Sequence, residues 1–309
     1  MVLRIKPLDL SKIQTGAVRR RPYRLAFEDL AGLPDPQQPL SVFYRSLPRT
    51  GESVTLLDAA EMLAQTIVAA KPVIWIIDGL LLDAGLSALL SGLMHKQLVQ
   101  GLVLSGEAAL QDFELAFHGI TAEDPAAGMQ DGLLGLARET AEVINGIIND
   151  GVKRGYSIGE CLGRGIRDRR PRHFQESILA TGVARLIPTT VHVSVGADGF
   201  HRYPGADGAM LGKGTLKDMF MLSSYLSTLP PGGLIIATHH DGALNQVFLH
   251  AMALARNLND QLKGYNLLRI GTSEETLLSL PGLSQHLSLP GPLEIMLPLL
   301  MGALFSLVE

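Results

Sequence analysis

The chain has 309 residues, 47% of them hydrophobic and 18% charged, and 26 lysines and arginines against 30 aspartates and glutamates give a formal charge of −4. Apolar content this high excludes a disordered chain, and the mild acidity argues against a general nucleic-acid binder. One cysteine, Cys161, excludes a disulfide scaffold, and the length suits one large domain or two modest ones.

In chain order, Met1 to Thr15 mixes charged and apolar residues without the apolar core of a secretory signal. Residues 1–55 read as an irregular, extended arm around Pro34, Pro36 and Pro39, either packed on a neighbouring subunit or lying as a surface loop. Residues 56–309 read as one domain. Helical periods cover Leu57–Ala69, Leu86–Gln100, Leu110–His118, Leu133–Asn149, Phe174–Arg185, Leu216–Ser227 and Asn245–Leu258. Between them lie five apolar, β-rich runs: Val73–Ile77, Gly101–Ser105, Thr189–Val195, Gly233–Thr238 and Tyr265–Ile270. This alternation predicts an α/β, Rossmann-like fold, a mostly parallel sheet with helices on both faces and a ligand at the strand carboxyl ends. The arginine-rich stretch Gly151–His173 reads as a solvated or interface segment. Two apolar stretches resemble membrane spans. Val73–Met94 is broken by Asp78 and Asp83, and Leu293–Val308 contains Pro298 and falls short of the roughly 20 residues a span needs. The expectation is a cytoplasmic protein with no membrane or nucleic-acid partner.

Four post-strand turns carry the candidate chemistry. Ser105, Gly106 and Glu107 lead from a strand into a helix, where main-chain N–H groups can meet a pyrophosphate, or where Glu107 simply suits a first turn. The segment Val195–Ala209 sets Asp198, His201, Arg202, Tyr203 and Asp207 among glycines that allow close backbone approach to a ligand. His201 is the acid/base candidate, since an imidazole titrates near neutrality. Thr238-His239-His240-Asp241-Gly242 offers a helix cap, a substrate contact through His240, or metal ligands, although the i, i+4 spacing of helical zinc sites is absent. Gly271-Thr272-Ser273 presents small hydroxyls to a nucleotide, or caps a helix with Glu275. Cys161 reads as a buried small residue and His192 as a core histidine.

Taken in order, Lys71-Pro72-Val73-Ile74-Trp75, Gly85-Leu86-Ser87, Asp112–Gly119, Thr190-Val191-His192-Val193, His201, Pro204, Ala206–Ala209, Ala253–Asn257 and Glu294–Leu300 resemble the deoxyhypusine synthase family, and its bacterial branch of unassigned function most closely. The resemblance implies an NAD-binding fold in a homotetramer that oxidises a polyamine and transfers its aminobutyl group. It places Ser105, Gly106, Glu107, Asp207, Gly208, Thr272 and Ser273 at the cofactor and Asp218 at the amine. The family's nucleophilic lysine in a Trp-Gly-Lys context has no counterpart: Trp75 is the single tryptophan and no lysine follows Lys263. A Schiff base on that lysine is therefore not expected. The sequence reading is an NAD-linked amine-binding or amine-oxidising protein, with a non-catalytic scaffold as the alternative and a metal hydrolase on His201, His239, His240 and Asp241 as a third.

Overall fold

The computed structural model describes residues 7–199, 201–238, 242–259, 262–271 and 280–308. In chain order these form α1 (Leu40–Ser46), α2 (Glu52–Val68), β1 (Val73–Ile77), α3 (Gly79–Asp83), α4 (Ser87–His95), β2 (Gly101–Ser105), α5 (Gly106–His118) and α6 (Pro125–Asp131). They continue through α7 (Arg138–Lys153), α8 (Ile158–Arg169), α9 (Ile178–Arg185), β3 (Thr189–His192), α10 (Gly208–Ser227), β4 (Leu234–Ala237), α11 (Gly242–Leu258), β5 (Tyr265–Ile270), β6 (Leu283–Leu289) and α12 (Leu293–Val308). None of these helices is long and apolar enough to cross a membrane.

One sheet runs β3-β2-β1-β4-β5-β6, every neighbouring pair parallel. The α/β, Rossmann-like class predicted from the alternation is therefore observed, with a sheet that is parallel throughout. β1 is central and buried at all five positions, which is why its sequence is an unbroken apolar run. Its side chains alternate between two cores. Val73, Trp75 and Ile77 face α2, α4, α5 and α12, while Ile74 and Ile76 face the residues of α10 and α11. The order reverses between β1 and β4, so the carboxyl ends of these strands flank a topological switch point, the usual ligand position in open sheets of this kind.

β6 and α8 depart most from the sequence expectation, and α1, α3 and α6 are short helices outside the predicted ranges. β6 was not expected, because Leu283–Leu289 mixes serine, glutamine and histidine into an edge strand that is only partly buried. α8 lies in the arginine-rich stretch read as a solvated or interface segment. Its glycines are packing residues: a Cβ at Gly159 would collide with the Thr189 carbonyl oxygen, and one at Gly163 with the Leu179 carbonyl. Ile158, Leu162 and Ile166 form its buried stripe, and Cys161 is buried beside Gly151. Burial pushes the Cys161 thiol up to about 12. We expect the native protein to resist a neutral-pH thiol reagent and to react only after unfolding, as read by mass spectrometry.

The stretch read as an irregular arm contains α1 and the first turn of α2. Tyr44 of α1 is buried, and its hydroxyl donates to the Leu299 carbonyl of α12 (2.7 Å). Residues 7–39 are otherwise exposed, Asp29 alone being half-buried.

Candidate functional site at the strand carboxyl ends

β2 ends in Ser105, whose hydroxyl accepts the Ala108 N–H (3.1 Å) and caps α5. β3 ends at His192, three residues earlier than the apolar run suggested. Beyond it the Val193 N–H donates to Thr215 Oγ1 (3.0 Å) and the Ser194 N–H to Asp198 Oδ2 (2.6 Å), which turns the chain into the 193–207 loop. This loop folds back over the start of α5. The Asp198 carboxylate lies directly against the Cα of Gly106, where any Cβ would collide with it. The glycine is thus required by a close approach, and the anion at the helix N-terminus is the chain's own aspartate.

Glu107 sits beside this contact and accepts the Gly199 N–H. Burial raises its pKa, reinforced by the neighbouring charges of Glu114 and Asp83 and opposed by Arg202. Glu107, Gln111 and Glu114 fall at i, i+4 and i+7 and share one face of α5. The Gln111 amide donates to Asp83 Oδ1 (2.6 Å) of α3, and Glu114 accepts from Thr121 (2.7 Å) and Thr140 (3.3 Å). Tyr203 closes the far side, donating its hydroxyl to the carbonyls of Gly135 (3.0 Å) and Ala137 (2.8 Å). Its pKa is pushed up to about 12, by burial first and then by the charges of Glu114, Glu123 and Glu139. The result is an acidic groove with α5 as its floor, and Arg202 is the cation whose charge acts on both Glu107 and Tyr203.

The remaining candidates fall in different places. His201 Nε2 accepts the Gly196 N–H (2.7 Å), and burial with the Arg202 charge lowers its pKa, so the ring is neutral at pH 7 with its proton on Nδ1. Asp207 caps α10, accepting the N–H groups of Ala209 (2.9 Å) and Met210 (3.2 Å), and Gly208 opens that helix with nothing near its missing Cβ. Asp218, expected at an amine, is fully buried. Its Oδ2 accepts the N–H groups of Ile158 (2.8 Å) and Gly159 (3.2 Å) at the start of α8, which gives it a helix-capping role away from solvent. His240, Thr272 and Ser273, like His239 and Asp241, lie outside the described residues. Among the described residues no group of three His, Cys, Asp or Glu side chains converges as metal ligands do. His192 is buried beside Thr190 (3.0 Å), and burial lowers it to about 4, so it too is neutral.

At the switch point, Asp78 ends β1 and accepts the Leu80 N–H (3.1 Å), while Thr238 ends β4 with its N–H on the Ile76 carbonyl (3.1 Å). Beneath them Arg269 of β5 is buried, lining a cavity of about 20 Å³ with Ile76, Ala237, Asn245 and Phe248. Sequence reasoning passed over Asp83, Gln111, Glu114 and Arg269. The i, i+4, i+7 polar stripe of α5 was the available signal for two of them. For Arg269, one cation in an otherwise apolar strand was the signal.

No protein-family model and no curated protein sequence matches the chain. Solved structures do match its fold. AgrE bound to L-arginine superposes with a TM-score of 0.55 at 18% identity over 86% of this chain and 35% of that one. AgrE in ternary complex with ornithine and NAD+ gives 0.50 at 18% over 85% and 35%. A provisionally assigned deoxyhypusine synthase from Entamoeba histolytica gives 0.54 at 10% identity over 88% of this chain and 95% of that one. The chain spans about a third of the length of the AgrE structures it matches. At these identities the likeness establishes a shared Rossmann-like fold, also found in a deoxyhypusine synthase and in an NAD+-bound protein.

Proposed function

We propose that this is a deoxyhypusine synthase-like protein that holds NAD across the switch point between β1 and β4 and a small amine at the acidic groove beside it. It does not transfer an aminobutyl group through an enzyme lysine. The observation that carries the reading is the strand reversal at β1/β4 with a buried cation, Arg269 of the adjoining β5, lining a small cavity with Ile76 of β1 and Ala237 of β4. The AgrE complex with NAD+ on the same fold adds support.

The residues present fit the cofactor at one turn and not at another. At α5 a phosphate does not fit, because Asp198 occupies the helix N-terminus, Ser105 is committed to capping, and Glu107 adds a second negative charge. At the switch point it fits. The N-terminal end of α11 favours an anion, Arg269 supplies positive charge, and Asp78 is an acceptor suited to a ribose hydroxyl. When bound, NAD supplies a hydride acceptor. The chain's own part is to hold the amine by charge at Asp83, Glu107 and Glu114; His201, whose Nε2 accepts the Gly196 N–H, can take a proton there only when that bond opens.

Melting curves test this. NAD at about 100 times its dissociation constant should stabilise the fold by about 2.7 kcal/mol. Arg269→Met should remove that shift and leave the melting transition cooperative. Glu107→Gln should spare it while weakening any shift produced by spermidine. If neither NAD nor NADP moves the curve, the closed turn at Asp198 favours the second reading, a non-catalytic binding protein that keeps the fold.

A further inference from the structure

Residues 119–137 join α5 to α7 at the far side of the acidic groove, and they are held together mainly by their own bonds. The Glu123 carboxylate accepts the Gly135 N–H (2.6 Å) from twelve residues away. Asp124 caps α6 through the Ala126 N–H (2.9 Å), and the Leu133 and Leu134 N–H groups share the Gly128 carbonyl (2.9 and 3.1 Å). Apolar side chains give the segment little anchorage: Ile120 is 73% exposed, Met129 67% and Leu133 59%, and Leu134 alone is half-buried.

Ties to the rest of the molecule are few. Beyond the helix ends on either side, the hydrogen bonds that leave this segment among the described residues come from two hydroxyls. Thr121 donates to Glu114 on the groove floor (2.7 Å). Tyr203 of the 193–207 loop shares its one proton between the carbonyls of Gly135 (3.0 Å) and Ala137 (2.8 Å). The same loop lays the Arg202 guanidinium against the Cα of Gly135. A neutral hydrogen bond shifts a local equilibrium by about tenfold, so two such catches hold a unit of this size loosely. Each end carries a glycine in the left-handed region, Gly119 at φ +72° where α5 stops and Gly135 at φ +66°. A self-bonded unit between two such pivots moves as one body when its catches open.

We propose that residues 119–137 are a lid on the acidic groove, hinged at Gly119 and Gly135 and latched by the Tyr203 hydroxyl. Tyr203 binds carbonyls at the second hinge, so breaking its bonds frees the lid at its root. The Thr121 catch sits on Glu114, a carboxylate of the groove itself. Opening therefore uncovers Glu114 and carries Glu123 away from Tyr203. The phenol keeps its proton through the neutral range, because burial and the charges of Glu114, Glu123 and Glu139 push it up to about 12. The lid's service to an amine rests on the reading of the groove as an amine site; its hinges and latch do not.

The test uses the full chain. Glu114→Cys places a thiol beneath the Thr121 catch, and the native Cys161 is buried, so a thiol reagent reads the new site alone. Adding Tyr203→Phe, which keeps the ring and removes the hydroxyl, should speed labelling of that thiol about tenfold at neutral pH. In the otherwise native chain, Tyr203→Phe and, separately, Thr121→Val should each speed chymotryptic cleavage within 129–136 severalfold while leaving the urea midpoint of the whole fold nearly unchanged. Equal labelling rates, or variants cleaved there no faster than the parent, overturn the lid. Spermidine should slow both readouts where Tyr203 is intact. If the latch effects stand and spermidine alters neither readout, the amine reading falls and the lid is upheld. If spermidine protects the parent and Tyr203→Phe changes nothing, the lid falls and the amine reading is upheld.

Discussion

Asp218→Ala should cost the fold about 3 kcal/mol, seen as a lower urea midpoint with an unchanged slope. The size follows from what is left behind. The carboxylate holds two buried N–H groups of α8, at Ile158 and Gly159, and deletion strands both away from water while opening a void in α10. The arrangement is repeated once: Asp112 of α5 accepts the Ser177 hydroxyl (2.6 Å) and the N–H groups of Ile178 (2.9 Å) and Leu179 (3.1 Å) at the start of α9. Each helix thus starts on its own serine and on an aspartate from elsewhere in the chain. Burial pushes Asp218 up to about 7 and Asp112 up to about 6. Both folded values lie above that of an unfolded aspartate, so the folded chain keeps protons that the unfolded chain has lost. The stability these groups contribute is therefore fully present below about pH 4 and lost as the pH rises through about 6 to 7. Asp112→Asn/Asp218→Asn should flatten this part of the pH profile. A double variant whose profile parallels the parent's from pH 4 to pH 7 would refute the assignment.

Gly159→Ala should destabilise by about 2 kcal/mol or more, because the new methyl meets a main-chain oxygen, that of Thr189, which cannot swing aside. α8 must then lift from β3. The matched control is Gly146→Ala in α7, where nothing lies within 4 Å of the missing Cβ. The same chemical change there should stabilise by about 0.5–1 kcal/mol, since alanine is the better helix former. Two substitutions of opposite sign, read by equilibrium unfolding, separate glycine kept for contact from glycine merely tolerated. Equal effects would show that the α8–β3 contact is looser than described.

The fold was legible wherever a local period coincided with burial. Val73–Ile77 could only be a strand covered on both sides, and the helices around it followed from spacing. α8 was illegible because its packing relies on absent side chains, and Gly159 and Gly163 leave no hydrophobic mark. β6 was missed because an edge strand need not be apolar. The site was half legible. Glu107 was singled out for its place after a strand, but its partners come from α3 and the 193–207 loop, and sequence spacing carries no record of such meetings. Asp198 and Asp207 occupy the same glycine-rich loop and looked equivalent. Which of them lies on Gly106 is decided by the turn after β3, where Ser194 takes Asp198.

The central position of Trp75 has a consequence for synthesis. β1 is finished early, yet β4, one of its two flanking strands, begins at Leu234, so at ordinary translation rates the ribosome spends about 8–30 s before that strand is made. Throughout that interval one margin of the growing sheet is bare and greasy, a natural target for a chaperone. The indole, 1% exposed in the finished molecule, faces α2, α4, α5 and α12, so its emission would report the packing of that layer of helices.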